Sequence, residues 1–239
     1  MTTATKIRVH VSGDLTKAQA LEVVGGLTAT SKMPEESFSL SARDCITGAK
    51  LHNVPDSVCA KCYALGGMYN FPVVKDAQAR RLAKLEDPKW VDAMTLLTSK
   101  TNHFRWFDSG DIQSVAMLTK IATIAMRNPQ TNYWLPTKEY KIITEYKKLG
   151  GFVPRNLVIR ASAPKINQRL SDVYGTTSMV ITEGTKVDDD VFICDASHTM
   201  KNGQKVKTIT KENKKLLGHC GDCRKCWEPT NKVTAYPIH

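Results

Sequence analysis

Residues 103–127 read HFRWFDSGDIQSVAMLTKIATIAMR and combine the three parts of a strand–turn–helix unit in one unbroken stretch. The first five residues alternate as a strand, the polar turn DSGD follows at 108–111, and apolar residues at helical spacing predict a helix over 111–127. Two further units repeat this order: strand 133–135 with helix 139–149, and strand 157–161 with short helix 165–170. Such alternation is typical of a parallel sheet with crossover helices.

The number of units favours an open architecture. Strands at 178–181 and 191–194 bring the count to about six units, fewer than the eight of a full barrel. We therefore predict an α/β fold, a partial βα barrel of about six units. Residues 1–194 would form this barrel together with a loop that carries three cysteines, and residues 195–239 would form a small, basic, cysteine-rich C-terminal extension.

The N-terminal third carries a long cysteine-bearing segment. Residues 45–70 are rich in Gly, Pro, Asp and Asn, which predicts a loop, and loops of this length inside a domain are usually functional. The other elements predicted here are a strand at 7–11, a helix at 15–24 capped by Asp14 and ended by Gly25-Gly26, a strand at 37–42, and helices at 73–85 and 88–100.

Composition determines how the cysteines are interpreted. Hydrophobic residues make up 41% of the 239 residues, enough for a packed core, and no apolar run approaches the roughly 18–20 residues of a membrane span. The N-terminus has no signal-peptide core, so we expect a cytoplasmic protein, in the host cytoplasm if it is encoded by a phage. In a reducing compartment, clustered cysteines indicate metal binding or catalysis, and seven cysteines cannot all pair.

The seven cysteines fall into two groups. The three-cysteine site comprises Cys45, Cys59 and Cys62, and three ligands leave one position of a bound iron or zinc open. The four-cysteine site joins Cys194 to a CxxCxxC run, the spacing of ferredoxin-type ligands. The members of that run are Cys220, Cys223 and Cys226. Four thiolates make a closed site, but zinc and an iron–sulfur cluster would use the same residues.

Polar residues follow several predicted strands, where α/β proteins collect their functional groups. Asp108 or Asp111 could serve only as a helix N-cap, and Lys138-Glu139 could be a solvated first helical turn. Arg160 lies within a strand and is predicted to point inward, toward a carboxylate or phosphate. The remaining polar groups of this kind are Ser162 and Thr182-Glu183.

The net charge of +11 is unevenly distributed, and residues 201–232 carry many lysines and few acids. A basic surface attracts phosphate, which makes a nucleotide or nucleic acid a candidate partner. A solvated lysine-rich face would look the same in the sequence.

Several motifs together resemble the phage gene product 88 family, from about Ser31 to the C-terminus. They are SFSLSA at 37–42, VCAKCYA at 58–64, FRWFDSGD at 104–111, YWLPTKEY at 133–140, NLVIRASA at 156–163 and CGDCRKCW at 220–227. That family looks related to the radical-SAM enzymes, whose 4Fe–4S cluster binds S-adenosylmethionine at an open iron and cleaves it reductively.

This resemblance implies roles for particular residues. The three-cysteine site would hold the 4Fe–4S cluster, and the four-cysteine site would hold an auxiliary cluster. Ser109, Gly110 and Asp111 are placed like the turn that holds the methionine amino group. Tyr63 is the aromatic residue expected beside the cofactor, but it follows the last cysteine, whereas the usual aromatic lies between the second and third, where this chain has Ala60-Lys61. The chain departs from the usual CxxxCxxC spacing, because residues 46–58 separate Cys45 from Cys59.

Two functions follow as hypotheses. The first is a radical-SAM-like enzyme that receives electrons from a donor such as a flavodoxin or ferredoxin and acts on an unknown substrate, for which a nucleotide or nucleic acid is the first choice. The second is a non-catalytic, zinc-stabilised nucleic-acid-binding phage protein. In the second case Asp44 or His52 could close the first site around zinc, and His219 could replace a ligand of the second. The sequence does not indicate an oligomeric state.

Overall fold

An eight-stranded sheet organises the computed structural model, which describes residues 15–238. The strand predicted at 7–11 and the cap predicted at Asp14 lie outside these residues. The strands are β1 (Thr28–Ala29), β2 (Glu36–Phe38), β3 (His103–Trp106), β4 (Asn132–Thr137), β5 (Leu157–Ser162), β6 (Thr176–Ile181), β7 (Val191–Ile193) and β8 (Val233–Pro237).

The strand order is β1-β2-β3-β4-β5-β6-β8-β7, and every neighbouring pair except β1 with β2 is parallel. The predicted mixed α/β fold with a mostly parallel sheet is therefore confirmed. The sheet is open, with β1 at one edge and β7 at the other. A partial barrel is not established by these pairings and stays a prediction.

The described helices lie mostly between successive strands. They are α1 (Lys17–Val24), α2 (Ile46–Leu51), α3 (Pro72–Lys84), α4 (Trp90–Thr98), α5 (Val115–Arg127) and α6 (Tyr140–Lys148). The helices predicted from the sequence at 15–24, 73–85, 88–100 and 139–149 are confirmed with ends shifted by a few residues.

Three predictions about local structure are corrected. The helix predicted to begin at Asp111 begins at Val115, because the hydroxyl of Ser114 accepts the backbone N–H of Met117 (3.1 Å) and caps it there. Neither Asp108 nor Asp111 is a helix cap. The helix predicted at 165–170 is wrong, since this stretch forms turns, and the predicted loop 45–70 contains α2 and three short 3-10 turns.

The sheet is covered on both faces, as parallel sheets usually are. One face carries Phe104, Trp106 and Tyr133, which pack with the helices into the main core. Alternation along the strands turns Arg105 and Trp134 to the opposite face, which we call the inner face. A C-terminal segment covers this face, where the Trp227 ring lies 5.2 Å from that of Trp134 and 5.5 Å from that of His103.

The C-terminal residues also contribute to the sheet itself. Strand β8 lies between β6 and β7, and Val233 is in register with both Thr177 and Val191. Residues 195–239, which the sequence marks as an extension, therefore supply a strand to the same sheet as residues 15–194. Among the helices of the described range, none has the length and hydropathy needed to cross a membrane.

Candidate metal centres

The carboxyl ends of the parallel strands bring together residues that are distant in sequence. Cys45 follows β2 after a 3-10 turn, Cys194 directly follows β7, the turn at 108–111 follows β3, and Glu139 lies two residues after β4. Parallel strands end at one edge of a sheet, and in α/β proteins ligands bind at that edge.

The three-cysteine site forms around the first turn of α2. Cys45 precedes this helix, and Gly48 lies one turn later. A Cβ atom at Gly48 would lie 2.8 Å from Cys45 Cβ, 3.6 Å from Cys45 Sγ and 3.8 Å from Cys59 Sγ. Two of the sulfurs therefore face one small space that only glycine leaves open, and Cys62 is close enough to influence both thiols electrostatically.

Gly48→Ala is expected to reduce metal binding at the three-cysteine site by at least about tenfold, because the added methyl group would occupy this space. Alanine would otherwise favour the helix by about 1 kcal/mol, so a loss of binding would come from the site and not from helix propensity. The measurement is metal retained per chain during competition with a chelator. Gly66→Ala is the matched control, since its Cβ would meet only the Tyr63 carbonyl oxygen at 3.9 Å. Equal retention by Gly48→Ala and wild type would contradict the expectation.

The thiols of this site are held in their neutral form by their surroundings. Burial raises the pKa of Cys45, and Asp111, the neighbouring thiols and Glu139 raise it further. Burial also raises the pKa of Cys59, and the positive charge of Lys138 partly offsets this by favouring the thiolate. A cation bound here would displace the thiol protons, since metals bind the thiolate form.

A buried carboxylate fixes the helix that carries this site. Glu139 is only 4% exposed and accepts hydrogen bonds from both the backbone N–H and the hydroxyl of Thr47, each at 2.7 Å. It therefore ties α2 to the end of β4. The solvated helical turn considered for Lys138-Glu139 is therefore wrong for Glu139. The contact between Glu139 and Thr47 could not be predicted from the sequence, because the two residues are 92 positions apart.

Ser109 and Gly110 join the ends of β2 and β3. The Ser109 hydroxyl donates to the Leu40 carbonyl (2.7 Å) and accepts from the Gln78 amide (2.9 Å). Gly110 has φ +81°, and a Cβ there would lie 2.7 Å from Leu40 Cβ. These contacts hold the chain that leads to Cys45, and the cofactor contact implied for both residues stays a prediction.

Asp111 and Tyr63 complete the surroundings of the three-cysteine site. Asp111 accepts the backbone N–H groups of Ile112 and Lys138, each at 2.8 Å, and joins the ends of β3 and β4. Burial raises the pKa of Asp111 to about 6, although these hydrogen bonds act in the opposite direction. Tyr63 is 64% exposed, and its hydroxyl donates to the Asp108 carbonyl.

The four-cysteine site lies between the sheet edge and the segment that covers the inner face. The Cys194 N–H donates to the Ala235 carbonyl (2.8 Å), which places this cysteine beside β8. Cys226 Sγ lies 3.1 Å from the hydroxyl oxygen of Tyr236, also in β8. Burial raises the pKa values of Cys194, Cys220 and Cys226 to about 11 each, and neighbouring cysteines of the group contribute to each rise. The four thiols are therefore near enough to influence one another electrostatically, and their assignment to one metal site stays a prediction.

Arg160 connects the sheet to the CxxCxxC run. Its side chain is fully buried, and its guanidinium donates to the carbonyls of Thr177 (3.0 Å) and Asn231 (3.1 Å). Longer contacts of 3.4 Å reach the carbonyls of Lys225 and Cys226. The inward direction predicted for Arg160 is confirmed, but the described residues place no carboxylate within salt-bridge distance of it.

A buried cation without an anionic partner is energetically costly, and this cost helps to decide whether the four-cysteine site suits a metal. Four thiolates around a metal ion or cluster carry net negative charge beside Arg160, whereas four neutral thiols do not. The donor set and this arginine therefore fit an anionic metal–thiolate group. Among residues 15–238, however, no group of three or more His, Cys, Asp or Glu side chains has the arrangement of a formed metal site. All seven cysteines are free thiols.

Comparison of the sequence with known protein families identifies one family. The family model described as gene product 88 matches residues 16–229, a range that contains all seven cysteines. No curated protein and no solved structure matches the chain.

Proposed function

This chain belongs to the gene product 88 family, and we propose that it is a radical-SAM-like iron–sulfur enzyme that uses S-adenosylmethionine. The observation that carries the proposal is the shared space of Cys45 and Cys59 at Gly48, with Cys62 nearby and the four remaining cysteines grouped elsewhere. Three thiolate ligands leave one iron of a 4Fe–4S cluster open, and an open position is the mark of a reactive site. Bound there, the cluster would supply the electron that cleaves the sulfonium.

The residues around the site support binding and orientation. Glu139 anchors α2, which Cys45 precedes, and Asp111 joins the ends of β3 and β4, so the first of the three thiols has a fixed position. In this proposal Tyr63, Ser109, Gly110 and Asp111 form the wall against which S-adenosylmethionine binds. The sheet would curve as a partial barrel around the substrate.

The four-cysteine site is assigned a second, closed cluster with a structural or electron-relay role. Arg160 supports this assignment, because its buried charge needs an anionic neighbour. An electron donor such as a flavodoxin or ferredoxin would supply reducing equivalents.

The basic segment indicates the substrate class. Five lysines between residues 201 and 215 are exposed and make no described ion pair, whereas Lys205 pairs with Asp195. These five are Lys201, Lys207, Lys211, Lys214 and Lys215. Such a surface attracts phosphate, so we propose a nucleotide or nucleic acid as substrate.

One observation favours a second candidate, a non-catalytic zinc-stabilised protein that binds nucleic acid. The carboxylates of Asp111 and Glu139 lie close enough to Cys45 and Cys59 to raise the pKa values of both thiols. A carboxylate can complete a four-ligand zinc set. The sequence also suggests Asp44 or His52 as the fourth ligand. The Nδ1 atom of His52 lies 3.3 Å from the carbonyl oxygen of Cys59.

The test adds S-adenosylmethionine to protein that has been purified without oxygen and reduced with dithionite. We expect the electron paramagnetic resonance signal of one cluster to change and S-adenosylmethionine to be consumed. Both effects should disappear in Cys59→Ser, while the signal of the second cluster remains. Spectra that contain iron–sulfur signals but do not respond to S-adenosylmethionine would eliminate the open-iron assignment. Zinc without iron would leave the second candidate.

A further inference from the structure

Large apolar side chains are exposed directly after the three-cysteine site. Tyr63 is 64% exposed, Met68 71%, Phe71 56% and Val73 71%, and all four belong to one stretch that begins at the residue after Cys62. Single exposed side chains of this kind are ordinary, whereas a continuous exposed group marks a binding site. We call the group formed by Tyr63, Met68, Phe71 and Val73 the apolar surface.

The apolar surface is held in one shape by contacts within its own stretch. The centroids of the Tyr63 and Tyr69 rings lie 5.8 Å apart, with the ring planes inclined by 62°. The N–H of Phe71 donates to the Met68 carbonyl at 3.1 Å, which closes the turn between these two side chains. The Tyr63 hydroxyl donates to the Asp108 carbonyl, so the surface is joined to the chain that follows β3. A ligand therefore meets rings that are already in place, which lowers the entropic cost of binding.

The charge around the apolar surface is positive. Arg43 donates from Nη2 to Asn70 Oδ1 at 3.1 Å, which places its guanidinium at the edge of the surface. Lys61 and Lys75 are exposed on either side of the same stretch of chain, and Arg43 is exposed as well. Within the described part of the chain, none of these three cations forms an ion pair. The sequence between Asp56 and Asp76 contains no acid that offsets them.

Rings and cations in one place define the chemistry of the ligand. Cations attract phosphate, and exposed aromatic rings stack on bases that are free of a partner strand. The lysines at 201–215 form a second basic surface of a different kind, since residues 195–226 contain no Phe, Tyr or Trp. That segment can offer phosphate contacts but no ring for a base. The apolar surface offers both, and a second phosphate-binding surface on the chain favours a nucleic acid over an acidic protein as its partner.

We propose that the apolar surface binds unpaired bases of a single-stranded nucleic acid, with Arg43, Lys61 and Lys75 at the backbone phosphates. Phe71 is assigned the main stacking contact, because its ring is exposed and its hydrogen-bonded backbone fixes where the ring starts. That the bound strand is also the substrate rests on the proposed function, since Tyr63 directly follows Cys62 of the three-cysteine site. The binding itself requires no metal and no S-adenosylmethionine.

Phe71→Ala is expected to weaken the binding of a single strand about tenfold, the usual effect of removing one stack between a base and a ring. Phe71→Trp keeps a ring and should bind as tightly as wild type. A duplex of the same sequence should bind equally well to wild type and to Phe71→Ala, because its bases are already stacked and paired.

Replacing Arg43 and Lys61 together with glutamine tests the phosphate contacts. Each phosphate contact with a single strand contributes about 0.7 to the slope of log binding constant against log salt concentration. The double variant should therefore reduce this slope by about 1.4, while the lysines at 201–215 maintain the remaining salt dependence.

The experiment measures the fluorescence anisotropy of labelled DNA and RNA strands about 12 nucleotides long, titrated with the full-length protein at several salt concentrations. Consumption of S-adenosylmethionine is measured on the same preparations. Phe152→Ala is the matched control, since this ring is 63% exposed in the turn between α6 and β5. Weaker binding of single strands in Phe71→Ala alone, with rescue by Phe71→Trp, would support the proposal.

Three outcomes would overturn the proposal. Wild type that binds no single strand, or Phe71→Ala that binds it as tightly as wild type, would leave an acidic protein as the partner of this surface. Equal losses for single strand and duplex, or for Phe71→Ala and Phe152→Ala, would exclude recognition of unpaired bases at this place. In all three cases the proposed function stands if wild type consumes S-adenosylmethionine. Stacking at Phe71 in a protein that consumes none would instead refute the proposed function and favour the zinc-stabilised candidate.

Discussion

Replacing Arg160 with methionine is expected to lower the free energy of unfolding by about 3–6 kcal/mol, because two buried hydrogen bonds from a charged donor are lost, each worth about 1.5–3 kcal/mol. Methionine fills similar space but donates no hydrogen bond, so the buried carbonyls of Thr177 and Asn231 lose their donor. Each buried acceptor left without a partner costs about 1–3 kcal/mol. The same variant should lose metal from the four-cysteine site, because the guanidinium no longer links residues 225–232 to β5. Denaturant unfolding combined with metal analysis provides the measurement.

Arg155→Met is the matched control for this substitution. Arg155 is exposed and lies just before β5, so its loss should change stability by no more than about 0.5 kcal/mol. Buried ion pairs can in some proteins be replaced by apolar residues without loss. An Arg160→Met protein as stable as wild type, with metal retained, would therefore refute the structural role assigned to Arg160.

Replacing Cys220 and Cys223 together with serine is expected to expose the C-terminal segment to proteases, with cleavage at least about 100-fold faster than in wild type. The described part of residues 195–232 contains only short 3-10 turns and isolated bridges, so few backbone contacts hold it in place. Metal binding to a four-thiolate site commonly contributes more than 10 kcal/mol to local folding. Proteolysis follows the population of the open form, and the lysines of this segment provide trypsin sites. Cleavage rates and mass spectrometry of the fragments provide the measurement.

The matched control removes the same number of cysteines from the other site. Cys59→Ser with Cys62→Ser should leave the C-terminal segment as resistant as in wild type, because the thiols near Cys226 remain intact. Cleavage of residues 195–232 at the wild-type rate in Cys220→Ser/Cys223→Ser would mean that metal does not hold the segment. Equal acceleration in both double variants would instead indicate general destabilisation.

The alternation of strands and helices could be predicted because it depends on local pattern. The composition and spacing of residues 103–127 are enough to predict β3 and α5. The position of β8 could not be predicted, since Val233–Pro237 is short and pairs with β6 and β7, which lie far back in the chain. Residues 45–70 have the composition of a loop, yet α2 forms there. Thr47, in the first turn of α2, donates two hydrogen bonds to Glu139, which follows the distant strand β4.

The grouping of the cysteines could be predicted from spacing, but the side chains that support them could not. The space at Gly48 depends on the path of the chain between Cys45 and Cys59, which spacing does not reveal. Arg160 was recognisable as an inward-facing residue from alternation along β5. Its partners could not be predicted, because they are backbone carbonyls of β6 and of a segment about 70 residues later. The contacts of Ser109 and Gly110 with Leu40 likewise depend on how the chain folds, and no pattern in the sequence indicates them.

We propose that each of the two cysteine groups holds an iron–sulfur cluster. Iron, acid-labile sulfide and zinc per chain should be measured in protein purified without oxygen, for wild type and for a variant in which Cys45, Cys59 and Cys62 are serine. We predict roughly eight irons with matching sulfide in wild type and roughly four of each in the variant, because the four-cysteine site remains. Zinc without iron or sulfide in the wild-type protein would contradict the claim and favour the zinc-stabilised nucleic-acid-binding protein.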